Sequence, residues 1–259
     1  MAPATLALAA LFAAAIGLTL GLIGGGGSIL TVPVFAYVLG YPAKDAIAMA
    51  LPVVGVTSLV GVVGHWRAGN VNARVAMAFG LVAMLGSFGG AQLARMLSGA
   101  VQLTLLGAVM IVAALSMLRV APRGDEPHET VKPQSFILIG AVGLGVGMLT
   151  GLVGIGGGFI IVPALVLIVG VPIRNAIGTS LAVIAMNSLS GFFGYVGHAA
   201  FDWRAIGLFT IITVAGILVG TRLGAFVRAA RLKQGFAIFL LVVATYILYQ
   251  NRGVLIGAH

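Results

Sequence analysis

The 259-residue sequence predicts an all-α integral membrane protein made of two homologous halves, each with a glycine-broken first span followed by three transmembrane helices. Three observations predict it. Only 7% of the residues are charged, 61% are hydrophobic and the mean hydropathy is +1.19, whereas a soluble domain carries about 25% charged residues. Uncharged stretches long enough to cross about 30 Å of hydrocarbon recur along the chain. Sliding the sequence against itself by 130 residues aligns 17–93 with 147–223 without a gap, at roughly 30% identity, the mark of an internal repeat.

The first apolar span covers 4–39 and is interrupted at Gly24-Gly25-Gly26-Gly27. Spans at 46–64, 75–94 and 101–118 complete the first half, 1–118. A connector, 119–134, holds three prolines, His128 and three of the five carboxylates, Asp125, Glu126 and Glu129, and reads as exposed. The second half, 135–259, repeats the order: 135–170 interrupted at 154–158, then 176–197, 205–225 and 232–250. The opening residues lack the basic segment of a signal peptide. Their counterpart at 135–150 also argues that they remain in the protein. With no room for a soluble domain, function is expected inside the bilayer. Absence of cysteine excludes disulfides, thiolate metal sites and Cys nucleophiles.

Each interruption reads as a helix break, because every Gly costs about 1 kcal/mol against Ala in a helix. Broken backbone survives at membrane depth only inside protein or beside a water-filled cavity. The half-helices that follow, expected from about Ser28 and Gly158, would present free N–H groups and a positive dipole end, which suit an anion. Candidate binding residues are therefore Gly24, Gly25, Gly26, Gly27, Ser28, Gly154, Gly156, Gly157 and Gly158. Glycines also permit close helix packing, and that is the expected role of Gly17/Gly21, Gly86/Gly90 and Gly216/Gly220/Gly224. The second spans supply Thr57 and Ser58, and Thr179, Ser180, Asn187 and Ser188. Hydroxyls in membrane helices commonly bond back to a carbonyl one turn earlier, while an amide such as Asn187 needs a partner. Arg204 joins the candidates because it matches Arg74 across the halves. The competing role for each cation is snorkelling to headgroups. His65 and His198 read as interfacial histidines, with proton transfer the competing role.

Outside the connector the only carboxylates are Asp45 and Asp202, so the paired acids of a cation pump or metal cage are missing. No HExxH, GxxxxGK[ST] or Ser/His/Asp set in a cleft is evident, so neither an enzyme nor a resident cofactor is expected. The net charge of +9 is spread one to four residues at a time between apolar spans, which points to topology, not nucleic acid. If each broken span crosses once, the 14 Lys and Arg divide seven and seven. If each returns to the side it came from, ten share a face with the connector and four, Lys44, Arg95, Arg204 and Arg252, lie opposite. That bias favours inverted halves, a cytoplasmic connector and external termini.

The doubled glycine segment with its Pro33 or Pro163, the Gly40-Tyr41-Pro42 and Gly170-Val171-Pro172 turns, and the Phe201-Asp202-Trp203 turn resemble the sulfite exporter TauE/SafE family over nearly the whole chain. The first half departs from it with Asn72-Ala73. The resemblance implies transport of sulfite, thiosulfate, sulfoacetate or another organosulfonate across a cytoplasmic membrane. A secondary transporter exporting such anions by alternating access is the first expectation. A passive anion channel and a scaffold without a substrate are the alternatives. The expected partners are a small anion and the lipid bilayer. The sequence leaves a homodimer, the identity of the anion and its coupling open.

Overall fold

A computed structural model describes residues 3–119, 136–153, 157–167, 169–223 and 229–252. All the regular structure among them is helical. The first span is α1 (Pro3–Ile23), broken as expected and followed by an irregular half-helix: a 3-10 turn at Gly26–Leu30, the single α-turn α2 (Thr31–Pro33) and a π-helical turn at Val34–Val38. Then come α3 (Ala43–Arg67), α4 (Ala73–Ala94) and α5 (Gly99–Arg119). The second half gives α6 (Phe136–Val153), the half-helix α7 (Gly158–Leu167), α8 (Ile173–Tyr195), α9 (Trp203–Leu223) and α10 (Ala229–Gln250). Six helices among the described residues are long and apolar enough to cross a membrane. Apart from Arg119, the connector lies outside the described residues.

Short Asx turns start α4 and α9 at matching positions. The Asn72 side chain accepts the Val75 N–H at 3.1 Å, and Asp202 accepts the Ala205 N–H at 3.1 Å. Each bond satisfies one of the orphan amides of a first helical turn.

Small residues decide how the helices pack. Gly17 and Gly21 of α1 lie against the backbones of Thr213 and Ile217 of α9, so these helices run parallel and nearly touch. Gly147 and Gly151 of α6 lie likewise on Ala83 and Ser87 of α4. A stripe without side chains lets two backbones approach to van der Waals contact, the dispersion-driven association that lipid does not oppose. The first helix of each half therefore packs on the third long helix of the other half. In contrast α3 and α8 run antiparallel, with Gly55 facing Ser188, Gly61 facing Leu181 and Gly191 facing Leu51. These contacts recur when both partners are moved by 130 residues: Gly17–Thr213 becomes Gly147–Ala83, Gly61–Leu181 becomes Gly191–Leu51, and Gly64–Thr221 becomes Gly194–Ala91.

Directions follow from the same pairs. Thr57 meets Thr213 at 2.8 Å and Gly61 meets Ile217, so α3 is parallel to α9 and hence to α1. Two successive long helices pointing the same way require residues 24–42 to carry the chain back between them. The broken span thus returns toward its starting side, as a hairpin and not a single crossing.

Candidate functional site

Both breaks rest on glycines that no other residue replaces without strain. Gly24 has φ 81° and Gly157 has φ 85°, the left-handed region open to Gly. Beyond them the two breaks meet backbone to backbone: a Cβ on Gly25 would collide with the Gly158 carbonyl group, and one on Gly158 would collide with Gly25. The meeting lies near the middle of the long helices. Gly27 sits on Ile16 and Leu20, beside the Gly17–Thr213 contact at the level of Thr57. Gly157 sits on Thr150, whose Oγ1 is 3.5 Å from the Asn187 amide nitrogen. Gly154 and Gly156 lie outside the described residues. Gly26 opens the 3-10 turn.

The two half-helices differ. α7 is a regular ten-residue helix starting at Gly158, where the N–H groups of Ile160 and Ile161 turn back to the Gly157 carbonyl at 3.0 Å each. The first half-helix changes from 3-10 to α to π within 13 residues, so its peptide dipoles add poorly. Of the two half-helix N-termini expected, that of α7 is a regular α-helical terminus and the first is a 3-10 turn. Ser28 is engaged as well: its hydroxyl donates to the Gly25 carbonyl at 2.8 Å, holding the break instead of facing a ligand.

The polar side chains sort by whether they have partners. Ser28, Thr57, Ser58, Asn187 and Ser188 are all fully buried, which closes this centre to solvent. Thr57 is structural, with its hydroxyl 2.7 Å from the Val53 carbonyl and 2.8 Å from Thr213 Oγ1. Ser180 shares its proton between the carbonyls of Gly24 at 2.8 Å and Ile177 at 2.7 Å, tying α8 to the first break. The Asn187 carbonyl accepts from Ser87 Oγ at 2.9 Å, which joins α8 to α4. Ser58 Oγ, Ser188 Oγ, Asn187 Oδ1 and Thr31 Oγ1 are buried without a partner among the described residues. Leaving such groups unmet costs about 1–3 kcal/mol each, and two of them, Ser58 and Ser188, occupy equivalent positions of the two halves. Thr31, Ser87 and Thr150 were not singled out from the sequence. Thr31 carried a usable signal, being a hydroxyl one turn beyond Ser28 in the glycine segment.

Arg204 does not join this centre. It is exposed at the start of α9, and its N–H caps on Asp202 at 3.0 Å. It lies about 20 Å along the helix from Ile217, at 1.5 Å per residue. Its end of the molecule holds two links between the halves. Tyr41 donates its hydroxyl to Asp202 at 2.7 Å, and Asp45 accepts the Ala200 N–H at 2.9 Å. Burial and the adjacent carboxylate push the Tyr41 phenol up to about 12, while the Tyr41 hydrogen bond, helped by the Ala205 amide, holds Asp202 below the usual carboxylate value. Beside these links a cleft of about 270 Å³ is lined by Lys44, Ala94, Arg95, Tyr195 and His198. No group of three metal-ligating side chains occurs among the described residues.

A helical bundle with two touching helix breaks and unpartnered polar groups at its centre belongs to the membrane transporters in class. The model of the sulfite exporter TauE/SafE family matches residues 9–247, so the chain belongs to that family. It is 34% identical over 248 residues to a probable membrane transporter protein of Xylella fastidiosa, covering 93% of this chain and 94% of the relative. It is 27% identical over 220 residues to the probable membrane transporter protein YdhB of Bacillus subtilis, covering 83% and 85%. A probable membrane transporter protein of Haemophilus influenzae is 27% identical over 258 residues, covering 92% and 96%. No solved structure matches the chain.

Proposed function

We propose that the protein is a secondary transporter that exports small sulfur-containing anions, sulfite, thiosulfate, sulfoacetate or another organosulfonate, across the cell membrane by alternating access. The observation that carries this reading is the contact of the two breaks at Gly25 and Gly158, together with the buried, unpartnered hydroxyls of Thr31, Ser58 and Ser188. The family supplies the substrate class. Neutral donors and the α7 N-terminus suit an anion whose charge would be costly to match with a buried cation. Inverted halves are supported by the antiparallel run of α3 and α8, which are counterparts in the repeat. The hairpin course of the broken span supports the ten-to-four division of Lys and Arg, with the connector face cytoplasmic. In this arrangement the centre is closed to both faces. Access alternates as the halves pivot on the α3–α8 crossing, where Gly55 on Ser188 offers little side-chain interlocking.

Counterflow in liposomes tests this. Labelled sulfoacetate should accumulate transiently against its own gradient when unlabelled sulfoacetate is loaded on the other side. A channel gives no such overshoot, and a scaffold gives no flux. Equal transport of an uncharged sulfone of the same size would remove the anion reading.

A further inference from the structure

The cleft at Lys44, Arg95, Tyr195 and His198 is not accounted for by the helix breaks. Lys44 enters it from the first turn of α3, Arg95 from the end of α4, Tyr195 from the last residue of α8 and His198 from the link to α9. Basic groups from three separate places thus converge on one recess. Both described carboxylates of this face are held by neutral donors: Asp45 by the Ala200 amide at 2.9 Å, and Asp202 by Tyr41 at 2.7 Å and by the amides of Arg204 and Ala205. Neither pairs with Lys44 or Arg95. The side-chain bond of Arg95 goes to neutral Gln92 at 2.6 Å. Unpaired positive charge lining a cleft raises the local concentration of any anion that enters. A lone interfacial cation reaches outward to headgroups, and two from different helices lining one recess form a binding geometry instead. Tyr195 connects this recess to the centre. It is buried, and its hydroxyl donates to the Leu152 carbonyl at 3.2 Å, in the last turn of α6 before the second break.

We infer that this cleft is a second anion site, a vestibule on the face of the chain ends that binds the sulfite or sulfonate head of the substrate between solution and the second break. The inference rests on the anion-transport reading and adds a residue-level entry point to it. A lipid phosphate offers the same oxyanion chemistry, so the test separates the two sources.

The chain contains no cysteine, and His198 is exposed, so His198→Cys gives a single reactive probe in the cleft. In phosphatidylcholine nanodiscs at low salt, a sulfonate-bearing methanethiosulfonate should modify it about tenfold faster than the trimethylammonium analogue, as expected for a focused positive field. Sulfoacetate should slow both reactions. Lys44→Gln with Arg95→Gln should bring the rate ratio to about one, and Lys44→Arg with native Arg95 should keep it. A ratio indifferent to the double substitution overturns the vestibule. So does protection by added phosphatidylglycerol with none by sulfoacetate, which assigns the cleft to lipid. The labelling needs no transport, so the two readings fail separately. Protection without any liposome flux leaves the anion site standing and removes the transporter. Counterflow with unaltered half-saturation and labelling in the double variant does the reverse.

Discussion

Ser58 and Ser188 stand at equivalent positions of the two halves, and both bury a hydroxyl with no partner. Burying such a hydroxyl unmet costs about 1–3 kcal/mol. Ser58→Ala and Ser188→Ala should each raise the thermal midpoint, by a gain of about 1 kcal/mol, while raising the half-saturating anion concentration in liposome flux. Thr57→Ala should do the opposite to stability, losing about 1 kcal/mol, because its hydroxyl is shared by Val53 and Thr213. Equal destabilisation by all three, read by thermal melting, would make the serines ordinary packing residues. Tyr41 and Asp202 give a pH dependence. Asp202 titrates below its unfolded value, so its contribution is full above about pH 4 and lost as pH falls through the lowered value. Tyr41 titrates above its unfolded value, so its share is full below pH 10 and lost as pH rises toward about 12. The stability difference between wild type and Tyr41→Phe should therefore form a plateau between these limits and vanish in acid, measurable as melting temperature against pH.

At the level of the helix, glycines divide by what a methyl group would meet. Gly89 and Gly145 face open space, so Gly89→Ala should stabilise α4 by up to about 1 kcal/mol. Gly147→Ala would drive Cβ into the Ala83 backbone and should cost about 1–3 kcal/mol or prevent folding. Thermal melts of the two variants check the contrast. Larger side chains at Gly27 and Gly216 would likewise collide with a neighbouring helix, and at Gly157 with Thr150. The positions of both breaks were legible because four adjacent glycines at 24–27, and four glycines within five residues at 154–158, oppose a helix so strongly that tertiary packing accommodates the break. The unequal half-helices were not legible, since 3-10, α and π turns share one local pattern and are selected by packing against α1 and α3. Nor was the split of hydroxyls into bonded and unpartnered: Thr57 and Ser58 are neighbours in sequence, yet Thr57 bonds both the Val53 carbonyl and Thr213 while Ser58 bonds neither.

Across the whole molecule, the repeat was legible as a 130-residue register, but its consequence in space was not. Sequence periodicity says that the halves are alike, not that α1 seats on α9 and α6 on α4. Orientation is testable with cysteines at Ala68, in the α3–α4 link, and Ala200, in the α8–α9 link, both exposed. An impermeant thiol reagent outside intact cells should label Ala200→Cys and spare Ala68→Cys, and equal labelling would refute opposite faces. The interlocking also bears on biosynthesis. Gly17 waits for Thr213, about three quarters of the chain later, and at about 5–20 residues per second that interval is about 10–40 seconds. During it the glycine stripe of α1 lies unprotected in the membrane, open to the wrong neighbour.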